Sequence, residues 1–322
     1  MRLAATDRAR IARGTSIAVA AAAVLSTTAI FIRYLTETTH VPALVLALWR
    51  DVFVVATLLP ALALLRPRLL RPERRHLRYL AKYGFVLAAF NAMWTVSVAL
   101  NGAAVATVLV YSSAAFTALL GRLILAERLS WAKVVAVAVS LGGCALVSGA
   151  SDLSAWRAGA PSLLVGVLAG LGYAAYSLMG RSAAVRGLDP WTTVLATFGF
   201  ASVFLLVANL LPLPPATGVA SRPADLLWLG DSVVAWGVLF VLAAGPTVAG
   251  FGLYNVSLGY LPSSVANLIV TMEPVFTAAI AYLVLGERLS GIQVAGSVMI
   301  VGAVLLLRIH EGREPADERI AA

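Results

Sequence analysis

The sequence predicts an all-α membrane protein of ten transmembrane helices, built as two inverted five-helix repeats with N- and C-termini in the cytoplasm. Three observations carry that expectation: a lipid-compatible composition, ten apolar runs of crossing length, and an internal repeat at an offset of 160 residues. Hydrophobic residues make up 61% of the 322 and charged residues 12%, with a mean hydropathy of +0.91. Soluble domains carry about 45–50% apolar and about 25% charged residues. A water-soluble fold of this size could not hide so much apolar surface, so lipid has to be the main solvent.

A helix needs about 20 apolar residues to cross the hydrocarbon core. Such runs fall at 14–34, 42–65, 79–100, 103–124 and 131–149, and again at 160–180, 190–211, 232–258, 263–285 and 291–308. The first follows four arginines in the manner of a signal peptide. It lacks a clean small-residue cleavage site and nine more runs follow, so it reads as the first helix. Pro42, Pro161 and Pro190 stand at or near helix starts, where a missing N–H costs little. The longest loop is the Pro-rich stretch from Pro212 to Pro223, and no segment is long enough for a soluble domain. The domains read as 1–150, 160–308 and a cytoplasmic tail at 309–322.

Basic residues orient the bundle, because cytoplasmic loops retain Lys and Arg. With the N-terminus inside, that side holds the four arginines before Gly14, seven cations from Arg66 to Lys82, and Arg122, Arg128, Lys133, Arg181, Arg186, Arg308, Arg313 and Arg319. Only Arg33, Arg157, Arg222 and Arg288 fall outside, and Arg50 lies within a span. The net charge of +9 is therefore a topological and lipid-headgroup signal. It is not a nucleic-acid footprint, since no basic patch is interleaved with exposed aromatics.

Residues 105–130, VATVLVYSSAAFTALLGRLILAERLS, align without a gap on 265–290, VANLIVTMEPVFTAAIAYLVLGERLS. Chance would match Leu, Ala and Val in two apolar helices, but not Phe116/Phe276, Thr117/Thr277 and the four-residue ERLS. The spacing Arg33-to-Pro42 recurs as Arg181-to-Pro190. Five spans per copy is odd, so the second copy has to cross the membrane in the opposite sense. Inverted repeats place a solute site near mid-membrane, between the copies.

The run from Ser263 to Leu307 resembles the closing helices of an EamA-type repeat of the drug/metabolite transporter superfamily. The run from Thr28 to Phe53 resembles that family's opening helices, including the arginine of the second span. The resemblance covers nearly the whole chain, through its glutamate–proline and GERLS elements. It implies a ten-helix permease, multi-pass in a bacterial inner membrane, exporting amino acids or other small metabolites on a gradient. No GxxxxGK[ST] loop is present for nucleotide.

A charge inside hydrocarbon costs about 2.5–3.5 kcal/mol on insertion scales and needs a partner or an aqueous cavity. Arg50, Asp51, Glu273 and, less deeply, Arg33 raise that question. Arg50 lies roughly 12 Å into the second span at 1.5 Å per residue. It reads either as a cation for a solute carboxylate or phosphate, or as half of a structural ion pair. Adjacent side chains point about 100° apart on a helix, which makes Asp51 a poor direct partner. Glu273, before Pro274, is a coupling candidate for proton movement, or else a carboxyl that closes the gap left by the proline. Its counterpart is Ser113.

Trp49, Asn91, Trp94, Tyr111, Ser112, Tyr173, Tyr176, Tyr254, Asn255 and Asn267 complete the substrate-binding candidates, since amides, hydroxyls and rings suit an amphipathic solute. Each alone also reads as an interhelical hydrogen bond. Trp94 and Tyr254 correspond at the repeat offset. Trp131 and Trp228 read as interface anchors, and Gly166 and Gly170 as a close helix contact. Glu127 and Glu287 read as turn elements before N-caps Ser130 and Ser290. Cys144 reads as a small buried hydrophobe. His40, His76 and His310 lack metal-ligand spacing. The sequence implies no catalytic residues, cofactor, metal or nucleic-acid partner. Its partners are a small solute, lipid and, through spans 5 and 10, a second copy. A membrane enzyme would need clustered His, Asp or Cys at mid-membrane. A channel and a non-transporting scaffold or receptor are the alternatives to transport.

Overall fold

The computed structural model describes residues 2–148, 150, 159–211, 218–220, 222–285 and 290–313. Among them the only regular elements are helices: α1 (Arg2–Leu25), α2 (Thr28–Thr39), α3 (Ala43–Leu65), α4 (Arg74–Tyr111), α5 (Ser113–Ile124) and α6 (Trp131–Val147) come from the first copy. The second supplies α7 (Ala160–Val185), α8 (Pro190–Leu210), α9 (Val233–Leu242), α10 (Val248–Leu258), α11 (Ser263–Val270), α12 (Glu273–Leu285) and α13 (Gly291–Arg313). Eight helical stretches are long and apolar enough to cross a membrane. The expected spans 131–149 and 291–308 correspond to shorter apolar helices, Trp131–Val147 and Gly291–Leu307.

Several expected spans are broken or joined rather than straight. The third and fourth follow each other without a loop, since α4 is interrupted at Gly102, whose φ of +72° only glycine adopts without strain. The fourth then breaks at Ser112 and the ninth at Thr271–Met272, so the half-helices start at Ser113 and Glu273, positions related by the repeat offset. Pro274 explains the second break: it has no N–H, and its ring excludes the carbonyl four residues back. Thr271 and Met272 instead make short turns to Leu268 O and Ile269 O, at 3.1 and 3.0 Å. No proline follows Ser112. There the Ser112 Oγ donates to Leu109 O at 2.5 Å, while Gly170 of α7 lies so close that a Cβ would meet that Oγ.

The first span breaks at Ser26–Thr27, whose hydroxyls donate to Ala23 O and Val24 O. The eighth carries a π-helical turn at Ala243–Thr247 around Pro246, and the Thr247 hydroxyl donates at 2.8 Å to Leu242 O, the carbonyl that the proline leaves without its helical partner. In lipid such backbone groups have to be satisfied from within the protein.

The copies pack along a buried core in which α4 lies on α7 and α8, α5 on α7 and α11, and α1 on α10. The Gly166 and Gly170 face holds α7 against α4 as expected. Helices α6 and α13 pack on each other at Gly143 and Gly296, where a Cβ on either would stand 2.7 Å from the other's carbonyl oxygen. Helix α6, in the place of span 5, also reaches the break in the ninth span. Ser140 shares a 2.5 Å hydrogen bond with Thr271, and Cys144, fully buried, directs its thiol at Thr271 O at 3.6 Å.

Candidate functional site

Two buried polar clusters lie between the spans, the second of them at the helix breaks. The first joins α3 to α4. Arg50 and Asp51 are buried, at 3% and 0% exposure, inside an apolar helix. The Asn91 amide donates to both Asp51 oxygens at 3.0 and 2.9 Å. Arg50 Nε stands 3.5 Å from Asp51 Oδ1. The charges are close, but Asp51 accepts no hydrogen bond from Nε, in line with adjacent side chains pointing about 100° apart on a helix. The pairing is incomplete. Nε and Nη2 of Arg50 have no hydrogen-bond partner in the protein. A buried cation with unused donors is costly and calls for an acceptor.

The second cluster joins four helices. Ser113 Oγ, at the start of α5, donates to Asn267 Oδ1 of α11 at 2.9 Å. The Asn267 amide donates to Ser177 Oγ of α7 at 3.0 Å and approaches the Tyr254 hydroxyl of α10 at 3.5 Å. Ser177 and Tyr254 share a 2.6 Å hydrogen bond. Beside it, the Asn255 amide donates to the Tyr176 hydroxyl at 2.7 Å, and the Tyr83 hydroxyl donates to Asn255 Oδ1 at 3.4 Å. Tyr173 stacks on Phe90 at 4.9 Å and leans on Tyr254 at 5.8 Å. Interhelical polar bonds of this kind stabilise a bundle where lipid offers no alternative partner.

Of the expected residues, Tyr176, Tyr254, Asn255 and Asn267 thus come together with their polar groups engaged by one another. Tyr111 is buried and is the last residue of α4, at the break in the fourth span. Glu273 is partly exposed and opens α12 rather than interrupting a continuous helix. Pro274 therefore sits in a first turn, where its missing N–H costs little, and the break itself accommodates it. A carboxylate at this end of a half-helix is favoured by the helix dipole. Trp94 is partly buried against the core. Trp49 belongs to a wall: its Nε1 donates to Leu226 O at 2.6 Å, and its ring packs on Phe53 and Trp236. Trp228, expected as an anchor, donates to Thr39 O at 2.8 Å. Arg33 lies in α2, its side chain outside the described residues, as are Glu287 and Arg288.

Sequence reading missed Ser177 and Tyr83, which carry no pattern beyond a polar residue in an apolar run, and it passed over Lys133. Counted among the cytoplasmic cations, Lys133 is buried, donating to Arg128 O at 2.6 Å and Ser264 Oγ at 3.1 Å. Glu127 caps not its own following helix but α11 of the other copy. Ser130 and Ser290 do cap α6 and α13, through Lys133 N and Gln293 N. Among the described residues no group of three or more His, Cys, Asp or Glu could hold a metal.

An all-helical membrane protein whose two sequence repeats meet at a buried polar cluster beside paired helix breaks has the build of a solute transporter. The chain matches the EamA-like transporter family twice, over residues 12–149 and 160–309, and belongs to that family. It is 24% identical over 224 residues to an uncharacterized transporter of Archaeoglobus fulgidus, covering 68% of this chain and 74% of that one. It is also 24% identical over 211 residues to a probable amino-acid metabolite efflux pump of Salmonella typhimurium, covering 63% and 67%. A protein of known crystal structure superimposes with a TM-score of 0.72 at 17% identity, covering 94% of this chain and 99% of that one. That likeness concerns the fold.

Proposed function

We propose that the protein exports small organic metabolites, amino acids among them, across a bacterial cytoplasmic membrane by alternating access. In this reading ten helices cross, the short α6 and α13 included, and both termini are cytoplasmic. A 17-residue helix is within the range that spans a bilayer. The units are 1–150 and 160–308, in opposite senses, followed by the cytoplasmic tail. The charge asymmetry supports the orientation, and the efflux-pump relative supports both the direction and the solute class.

The observation that carries the reading is Arg50: a buried guanidinium, positioned by Asp51 and Asn91, with two unused donors. A planar fork of that kind suits a carboxylate. Trp49, Trp94, Tyr111, Ser112, Tyr173, Tyr176, Tyr254, Asn255 and Asn267 would form the surrounding surface. Their mutual hydrogen bonds would then be exchanged for bonds to solute, and Glu273 would answer to a proton gradient.

Counterflow in proteoliposomes tests this, using labelled amino acids and polyamines with and without an imposed pH gradient. Saturable exchange is the expected result. Flux without saturation or counterflow would favour a channel. No exchange of any pool member would remove both solute classes.

A further inference from the structure

At one end of the bundle a carboxylate of the first copy closes onto the second. Helix α5 ends at Ile124, and Ala126, with a φ of +55°, turns the chain back so that Glu127 N donates to Gly121 O at 3.0 Å. Gly121 leaves room for the returning side chain, since a Cβ there would stand 2.9 Å from Glu127 Oε2. The Glu127 carboxylate is buried at 8% exposure and spans the first turn of α11. Oε1 accepts Ser263 N at 2.7 Å and Ser263 Oγ at 2.6 Å, and Oε2 accepts Ser264 N at 3.1 Å and the Ser264 hydroxyl. Lys133 secures the Ser264 hydroxyl from the same copy. Around the contact, Arg10 donates to Gly259 O at 3.2 Å, Arg181 donates to Leu258 O at 2.9 Å, and Arg13 lies 5.6 Å over the Tyr260 ring.

Bonds of N–H and O–H donors to a carboxylate are about twice as strong as neutral ones, and the N-terminus of α11 favours negative charge. The repeat does not preserve this chemistry. At the 160-residue offset Glu287 corresponds to Glu127, but Ser263 and Ser264 correspond to Ala103 and Ala104, which have no hydroxyl to donate. A two-fold protein with matched contacts at its two ends would favour neither closed state. Here one end has two donors that the sequence denies to the other.

We infer that Glu127 is the latch of a gate at this end of the protein, and that its one-sided donor set biases the solute-free protein toward the state closed there. The inference rests on the alternating-access reading, in which this end is the cytoplasmic one. Opening toward that side separates Glu127 from Ser263 and Ser264 and moves α5 and Lys133 away from α11. A ligand shifts such an equilibrium only by its differential affinity for the two states, so the latch sets how much a solute has to contribute.

The test is sidedness of labelling. A reporter cysteine, Ala118→Cys, is placed on α5 about one turn before Gly121, where Ala118 is buried. Cys144→Ala leaves it the sole thiol. Vesicles of each orientation are treated with a membrane-impermeant maleimide. Glu127→Gln is expected to raise the labelling rate from the Glu127 side at least about tenfold, without raising it from the other side. Ser263→Ala with Ser264→Ala keeps the two backbone donors and should move the rate the same way by less, which keeps the test open should Glu127→Gln fail to fold. Unchanged rates in both variants, or an equal rise from both faces, overturn the latch. Labelling needs no solute, so counterflow without exchange removes the solute classes tested and leaves the latch to stand or fall on labelling, and a working transporter with unmoved labelling refutes the latch alone.

Discussion

Ser113 Oγ donates to Asn267 Oδ1 at 2.9 Å, tying the first residue after one helix break to the half-helix that precedes the other. The two residues are 154 positions apart and come from different copies, so the breaks in the fourth and ninth spans are one joint. Asn267 uses its oxygen on Ser113 and its amide on Ser177, and is fully buried.

Asn267→Ala should therefore strand the Ser113 hydroxyl and take one donor from Ser177, which keeps Tyr254 and Tyr173 O as partners. Leaving buried polar groups unpaired costs about 1–3 kcal/mol each, so thermal unfolding in detergent should fall well below that of wild type. Tyr254→Phe removes only the hydroxyl shared with Ser177 and should cost about 1 kcal/mol. Equal losses in the two variants would mean that the amide is not the hub.

Arg50→Gln should leave Asp51 as an uncompensated buried charge, a change worth about 3–5 kcal/mol. Adding Asp51→Asn should restore most of the lost stability. If Arg50 also binds solute, the double variant should regain its melting temperature while KM for a carboxylate-bearing solute stays at least about tenfold raised, equal to about 1.4 kcal/mol. Recovery of both would make Arg50 a structural partner only.

Glu273→Gln preserves shape at the start of α12 but removes the titrating group. Exchange should persist while its response to an imposed pH gradient disappears. A response equal to that of wild type would end the coupling role and leave Glu273 as a helix-terminal carboxyl.

Ala126→Gly should stabilise the protein. A left-handed residue other than glycine costs about 1–2 kcal/mol, and Ala126 is one, at a φ of +55°. Glycine returns roughly 0.5–1 kcal/mol of that through unfolded-chain entropy. The net gain should be up to about 1 kcal/mol in thermal unfolding. The second copy already has Gly286 at the corresponding position of its GERLS run.

Gly143→Ala should cost about 1–3 kcal/mol by overpacking, because the new methyl would stand 2.7 Å from Gly296 O and 2.8 Å from Ile300 Cγ1. Gly142→Ala is the matched control: its methyl meets only Met299 Cε, at 3.4 Å. Similar melting temperatures for the two would place the α6–α13 contact elsewhere.

Hydropathy and the ERLS repeat were enough to read a helical membrane protein, its copies and its family, because lipid demands long apolar helices and duplication leaves residues in register. The broken ninth span was legible only as Pro274. The break at Ser112 was not, since no proline marks it and Gly170 and Leu109 complete it from tertiary contact. Arg50, Asp51 and Asn91 could be listed from sequence, but that Asn91 takes both Asp51 oxygens and leaves Arg50 Nε and Nη2 unbonded depends on how α3 meets α4, which no spacing along the chain settles. Glu127 sits in what reads as a loop, and Lys133 in the first turn of a span. Only packing shows that α11 begins against them, because a carboxylate finds its donors in space, 136 residues away along the chain.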